Sequence, residues 1–196
     1  RDVVDAARRV LRERIRSFVP AHPIAGREVS GVEHADAALF GGRQVILTPL
    51  AQTAPELVQK ATDAWSAVGA QVLKMTAENH DAAFAAVSHL PHLLAFALVD
   101  SLAGQPASDE IFRCAAGGFR DFTRIASSDV VMWRDIALAN RDALLGALDG
   151  FAHTLETVRA AVAGSDGEKL EQVFGRARAA RERYMRWLER GDHPEQ

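Results

Sequence analysis

At 196 residues the chain is long enough for one full domain or two small ones. Hydrophobic residues at 48%, charged residues at 25% and a mean hydropathy of -0.07 describe a soluble globular chain. A formal charge of -3 with a pI near 6.2 argues against a general nucleic-acid binder, and the single Cys114 excludes an intrachain disulfide or a cysteine-rich metal site.

Lone-cysteine usage suits a reducing cytoplasm. The apolar runs fall short of the roughly 20 residues that span a bilayer. The amino end is arginine-rich and amphipathic, without the apolar core of a signal peptide. The chain opens on Arg1 and not on methionine, so it reads as a portion of something longer.

Residues 2–16 place Val3, Val4, Ala7, Val10, Leu11 and Ile15 on one helical face. Arginines with interspersed acids cover the rest, which is a solvated face. SFVPAHPIAG follows as a short strand running into a loop with two prolines and a glycine. Residues 30–42 are small and polar, with a short helix expected near 35–39. QVILT, residues 44–48, is an apolar run stopped by Pro49 and reads as a buried strand.

Thr53-Ala54-Pro55-Glu56 marks a helix start, with Thr53 as cap and proline in the first turn. That helix carries Leu57, Val58, Ala61, Trp65 and Val68 inward and ends at Gly69. QVLKM, residues 71–75, is a further strand. Strand, helix and strand with short connections predict a parallel βαβ unit, so residues 1–75 read as an α/β portion.

From Thr76 onward no strand is expected. Residues 77–103 read as a long helix interrupted by Pro91, which removes a donor and crowds the carbonyl of Val87. Ser128 and Asp129 start a very long helix, along which Leu144, Leu148, Phe151, Leu155, Val158 and Val162 form a seam for a partner helix. After a turn at 164–167, residues 168–190 form a last helix. Its inward face is Leu170, Val173, Phe174, Ala177, Tyr184, Met185 and Leu188. The fold class expected is an α/β remnant of a Rossmann-type domain, residues 1–75, followed by an all-helical domain, residues 76–196.

Residues 115–135, AAGGFRDFTRIASSDVVMWRD, hold the densest polar chemistry. Asp121 and Arg124 are three apart and share a helical face, while Phe119, Phe122, Ile125 and Ala126 would be buried. Gly117 and Gly118 let backbone approach another helix or a ligand. An arginine held rigidly there can grip a carboxylate with two hydrogen bonds, although a surface ion pair has the same sequence signature. His22 lies between a strand end and a loop, an edge where open α/β sheets bind ligands, and its imidazole can accept a proton near neutral pH. His34, His80 and His153 read as solvated or capping. His89 and His92 straddle Pro91, and Ser88 shares a face with His92. Without acid or cysteine partners they line a pocket rather than hold zinc, so no metal is expected.

Three segments, HPIAGREVSGVEHADAALF with ILTP, ENHDAAFAAVSHLPHLLAFAL, and AAGGFRDFTRIASSDVVMWRDIALAN, closely resemble the prephenate dehydrogenase family in order and spacing. The resemblance spans nearly the whole chain. It implies a nucleotide-binding domain followed by a helical domain that forms a tight homodimer. The implied reaction is oxidative decarboxylation of prephenate, or of arogenate, with hydride transfer to NAD or NADP in tyrosine biosynthesis. Neither nucleic acid nor membrane is an implied partner. His22 matches the family's proton-accepting histidine and Arg124 its carboxylate-binding arginine. Ser88, His92, Gly117 and Trp133 match positions lining the substrate pocket, and Glu28 and Asp121 match acids in an ionic network at its entrance. The family's glycine-rich G-x-G-x-x-G turn is not in this chain, so the chain by itself is expected to be inactive. Two other readings are a non-catalytic helical dimerisation module and another two-domain hydroxyacid dehydrogenase.

Overall fold

The computed structural model describes residues 2–26 and 31–190. The chain forms two compact units, residues 1–147 and 148–196. The first begins with α1, Asp2–Leu11, which tightens into a 3-10 segment, Arg12–Ser17. Of the apolar face expected there, Val4 and Ile15 are buried while Val3 and Val10 stay exposed. Arg12, with φ of +49°, breaks the helix and redirects the face.

A three-stranded sheet follows, made of β1 (Ala21–Pro23), β2 (Gln44–Leu47) and β3 (Gln71–Lys74), in that order. β2 and β3 are parallel, joined by α2, Pro55–Ala67, as the apolar periodicity predicts. β1 instead runs antiparallel to β2, pairing His22 with Ile46, so the sheet is mixed. Three residues carry no orientation signal of their own, and pairing alone decides their direction. The expected helix at 35–39 is replaced by a 3-10 turn at Val32–His34.

Val45 and Leu47 are fully buried with Ala70, under Val19, Phe40, Ala61, Trp65 and Val72. Phe40 and Trp65 meet edge to face at 5.2 Å, a favourable aromatic geometry. Gly69, at φ +82°, takes the left-handed turn that ends α2, and a side chain there would be strained. Thr53 is not the helix cap. Ala54 holds that position, and the buried Thr53 hydroxyl accepts from Leu50 N and donates to Phe18 O. It ties the loop after β2 to the entry of β1.

Thr76 caps α3, Ala77–Phe84, by accepting from Asn79 N at 3.1 Å. The proline interruption is absorbed by a π turn, Ala85–His89, after which α4, Leu90–Ala103, starts with Pro91 in its first turn. The wider turn accommodates the missing donor without ending the helical path. Residues 77–103 are, by length and composition, apolar enough to cross a membrane, with a mean hydropathy of 1.7. That differs from the sequence expectation, because the two helices and the π turn join into one 27-residue run.

Next come α5 (Ser108–Arg113), α6 (Gly117–Thr123), a 3-10 turn at Arg124–Ser127 and α7 (Val130–Ala139). α4 packs against α5, α6 and the 124–127 turn. Asp129 caps α7 by accepting from Met132 N. The long helix expected from there is split at Asn140, and α8, Arg141–Ala163, begins anew. Phe122, expected in the core, is 48% exposed.

In the second unit, the end of α8 turns at Ser165 (φ +51°) into α9, Gly167–Arg190. Asp166 caps that helix through Lys169 N. The face expected to turn inward is open: Phe174, Tyr184, Met185 and Leu188 are all exposed, as are Phe151, Leu155 and Val162 of the α8 seam. Apolar periodicity identifies a face to be covered but not whether this chain covers it.

Candidate functional site

The carboxyl edge of the sheet positions the polar residues. His22 on β1 sits opposite Ile46, one residue before the end of β2, and α3 begins three residues after β3 ends. One turn into α3, His80 therefore reaches His22. Their ring nitrogens, His22 Nδ1 and His80 Nε2, are 2.8 Å apart, and His80 Nδ1 lies 2.9 Å from Asp81 Oδ1. Phe84, one turn further on, stacks on His80 at 4.6 Å and touches the His22 ring at 4.8 Å. His22 keeps an accessible edge, yet burial of the rest of the ring lowers its pKa below the ordinary histidine value. Charge on His80 and then His89 adds to that lowering.

A second cluster gathers on the π turn. There the carbonyl of Ser88 accepts from His92 Nδ1 at 2.9 Å, which leaves Nε2 as the His92 ring nitrogen not bound to its own helix. The His92 ring stacks on Trp133 at 3.5 Å, with 18° between planes. Trp133 Nε1 is buried without a hydrogen-bond partner among the described residues. Asn140, at the break between α7 and α8, donates to Asp81 O at 2.8 Å. The same amide nitrogen lies 3.2 Å from His89 Nδ1, which must then accept. His89 also has a lowered pKa, chiefly from burial and then from His80. With these bonds made, His89 and His92 are engaged with protein groups.

Arg124 heads the turn that packs on α4 and is exposed. Asp121 lies 3.6 Å from the guanidinium of Arg120, both on the surface. A methyl group on Gly117 or Gly118 would meet nothing within 4 Å among the described residues, so no described helix presses on that pair. Glu28 lies outside the described residues. The structure thus joins Ser88, His92 and Trp133 in one cluster and His22 with His80 and Asp81 in another. Sequence reasoning left His80 as a capping residue and missed Asp81, Phe84 and Asn140. His80 and Phe84, four apart on one helical face, are the one local hint.

Residues 76–176 match the model of the prephenate dehydrogenase dimerization domain, and residues 1–74 match the model of the prephenate dehydrogenase nucleotide-binding domain. The chain belongs to the prephenate dehydrogenase family. Cyclohexadienyl dehydrogenase of Zymomonas mobilis is 41% identical over 166 residues, covering 84% of this chain and 57% of that protein. Prephenate dehydrogenase of Bacillus subtilis is 38% identical over 184 residues, covering 92% and 48%. The crystal structure of prephenate dehydrogenase from A. aeolicus, in complex with hydroxyphenyl propionate and NAD+, superposes with a TM-score of 0.84 at 40% identity, covering 93% of this chain and 63% of that one. The chain spans about half the length of the curated relatives it matches.

A prephenate dehydrogenase needs a dinucleotide, and the described turns at the sheet's carboxyl edge do not fit its diphosphate. The β2–α2 connection, TPLAQTA, has no glycine, and its Thr53 hydroxyl is bound within the protein. The β3–α3 connection closes on its own cap through Thr76.

Proposed function

We propose that the protein catalyses the oxidative decarboxylation of prephenate, or of arogenate, to the aromatic product of tyrosine biosynthesis, with NAD or NADP as hydride acceptor. His22 carries this reading. It is a neutral imidazole at the sheet's carboxyl edge, with one nitrogen bonded inside the protein and an accessible ring edge. The hydroxyl that becomes a carbonyl-like centre must lose its proton, and one aligned imidazole suffices. Loss of carbon dioxide aromatises the ring, so the step runs downhill without a metal. The protein's remaining task is to hold a doubly anionic substrate.

Arg124 is the fixed cation for a substrate carboxylate, and its guanidinium offers a fork that lysine lacks. Ser88, His92, Gly117 and Trp133 line the pocket, with the indole N–H as a further donor. Glu28 and Asp121 belong to the ionic network at its entrance. Residues 1–75 are the carboxyl portion of the nucleotide-binding domain, and 76–196 the helical domain through which two copies pair. The open apolar faces of α8 and α9, and the largely half-buried apolar run at 77–103, support that pairing. A cytoplasmic location is part of this proposal and is supported by the kinship with biosynthetic dehydrogenases.

The test is turnover of the active protein with both substrates and both cofactors, alongside His22→Asn. The variant should lose roughly 10²–10⁴ in kcat, the range for a general base, with little change in affinity. Turnover near wild type would place the proton acceptor elsewhere. Release of labelled carbon dioxide separates this reaction from simple alcohol oxidation, which releases none.

A further inference from the structure

We propose that His80 and Asp81 are positioning residues that hold His22 in the one tautomer able to accept a proton, an inference that rests on His22 being the base. Three side chains stand in line, with 2.8 Å between His22 Nδ1 and His80 Nε2 and 2.9 Å between His80 Nδ1 and Asp81 Oδ1. A carboxylate only accepts hydrogen bonds, so His80 Nδ1 carries the hydrogen. A neutral imidazole has one N–H, which leaves His80 Nε2 with a lone pair. The bond to His22 is therefore donated by His22 Nδ1–H, and His22 Nε2 keeps its lone pair. That is the form a proton acceptor needs. Free histidine favours the opposite tautomer, with the hydrogen on Nε2, so the line reverses the default.

The line is sheltered. The His80 and Asp81 side chains are 18% and 20% exposed, too little for a loose surface pair. Phe84 sets the planes of both rings, and Asn140 fixes the Asp81 carbonyl. Among the described residues, the titratable groups acting on His22 are His80, with Asp81 behind it on α3, and His89 on the π turn. When His22 Nε2 takes the substrate's hydroxyl proton, its Nδ1–H stays bonded to His80. The new positive charge then has the His80 ring next in line and the Asp81 carboxylate beyond it, one imidazole further away than the carboxylate of a hydrolytic triad.

Two readouts test the inference. Ring ¹⁵N shifts of the folded chain report the tautomer: His22 should carry its hydrogen on Nδ1, and a hydrogen on Nε2 overturns the inference. In the active protein, Asp81→Asn reverses the line, because an amide NH₂ donating to His80 Nδ1 moves the hydrogen to His80 Nε2. His22 must then accept at Nδ1 and lose its outward lone pair. Its kcat should fall about ten- to a hundredfold with KM little changed, short of the roughly 10⁴ for the same change in a fully buried triad. His80→Gln, whose amide oxygen still accepts from His22 Nδ1–H, should keep most of the activity that His80→Leu loses. If His22→Asn abolishes turnover while folded Asp81→Asn and His80→Leu keep both kcat and the His22 tautomer, the positioning role is wrong and the base assignment survives. If His22→Asn is itself fully active, the assignment of the base fails first.

Discussion

Replacing Trp133 with phenylalanine should leave the unliganded protein as stable or more stable, while weakening its hold on substrate. The indole Nε1 is buried with no partner among the described residues, and an unsatisfied buried donor costs about 1–3 kcal/mol. The stack on His92, at 3.5 Å and 18°, is one that a phenyl ring can keep. Against the recovered cost stands the smaller ring, worth on the order of 1 kcal/mol at ~25 cal/mol per Å² of lost burial. The balance runs from about 0 to 2 kcal/mol in favour of the variant. For a chain of this size that is a rise of roughly 2–4 °C in Tm per kcal/mol. Thermal unfolding with and without hydroxyphenyl propionate measures both halves. If the N–H serves a bound carboxylate, its loss should weaken binding about tenfold or more, as for a hydrogen bond to a charged group. A variant clearly less stable than wild type, with an unchanged ligand-induced shift, would refute the reasoning.

Arg124→Ala should raise KM more than it lowers kcat, because the lost contact is made by bound substrate before and during reaction, and an unchanged KM in steady-state assays would remove Arg124 from the site. Stability should fall in mild acid. The pKa values of His22 and His89 are both lowered from 6.5, chiefly by burial, with His80 the next cause in each. Below that value the unfolded chain binds more protons than the folded one, so stability is complete above about pH 6.5 and declines as pH falls toward the lowered values. Urea midpoints should drop between about pH 7 and pH 5 and drop less in His22→Asn; equal slopes would contradict the assignment.

Elements with their own local signal were legible. The apolar run at residues 44–47, Pro55 in the first turn of α2 and Gly69 at its end required no knowledge of the rest of the fold. The antiparallel direction of β1 was not, because three residues gain their orientation only from β2. Nor was the split at Asn140, whose amide serves Asp81 and His89 some 59 and 51 positions away. His80 shows the same limit. Its ring meets a histidine 58 residues earlier, and the contact exists only because α3 leaves the sheet edge beside β1. Residues 174, 184, 185 and 188 lie on the expected helix, but the inward placement expected of them fails, since all four are exposed and periodicity does not say whether this chain covers the face.

The central claim is tested most directly by the pH dependence of kcat/KM in the wild type and in His22→Asn. The wild type should lose activity on the acid side with an apparent pKa below the ordinary histidine value of 6.5, and that limb should vanish in the variant's residual activity. An acid limb that persists unchanged when the imidazole is gone would show that some other group takes the proton.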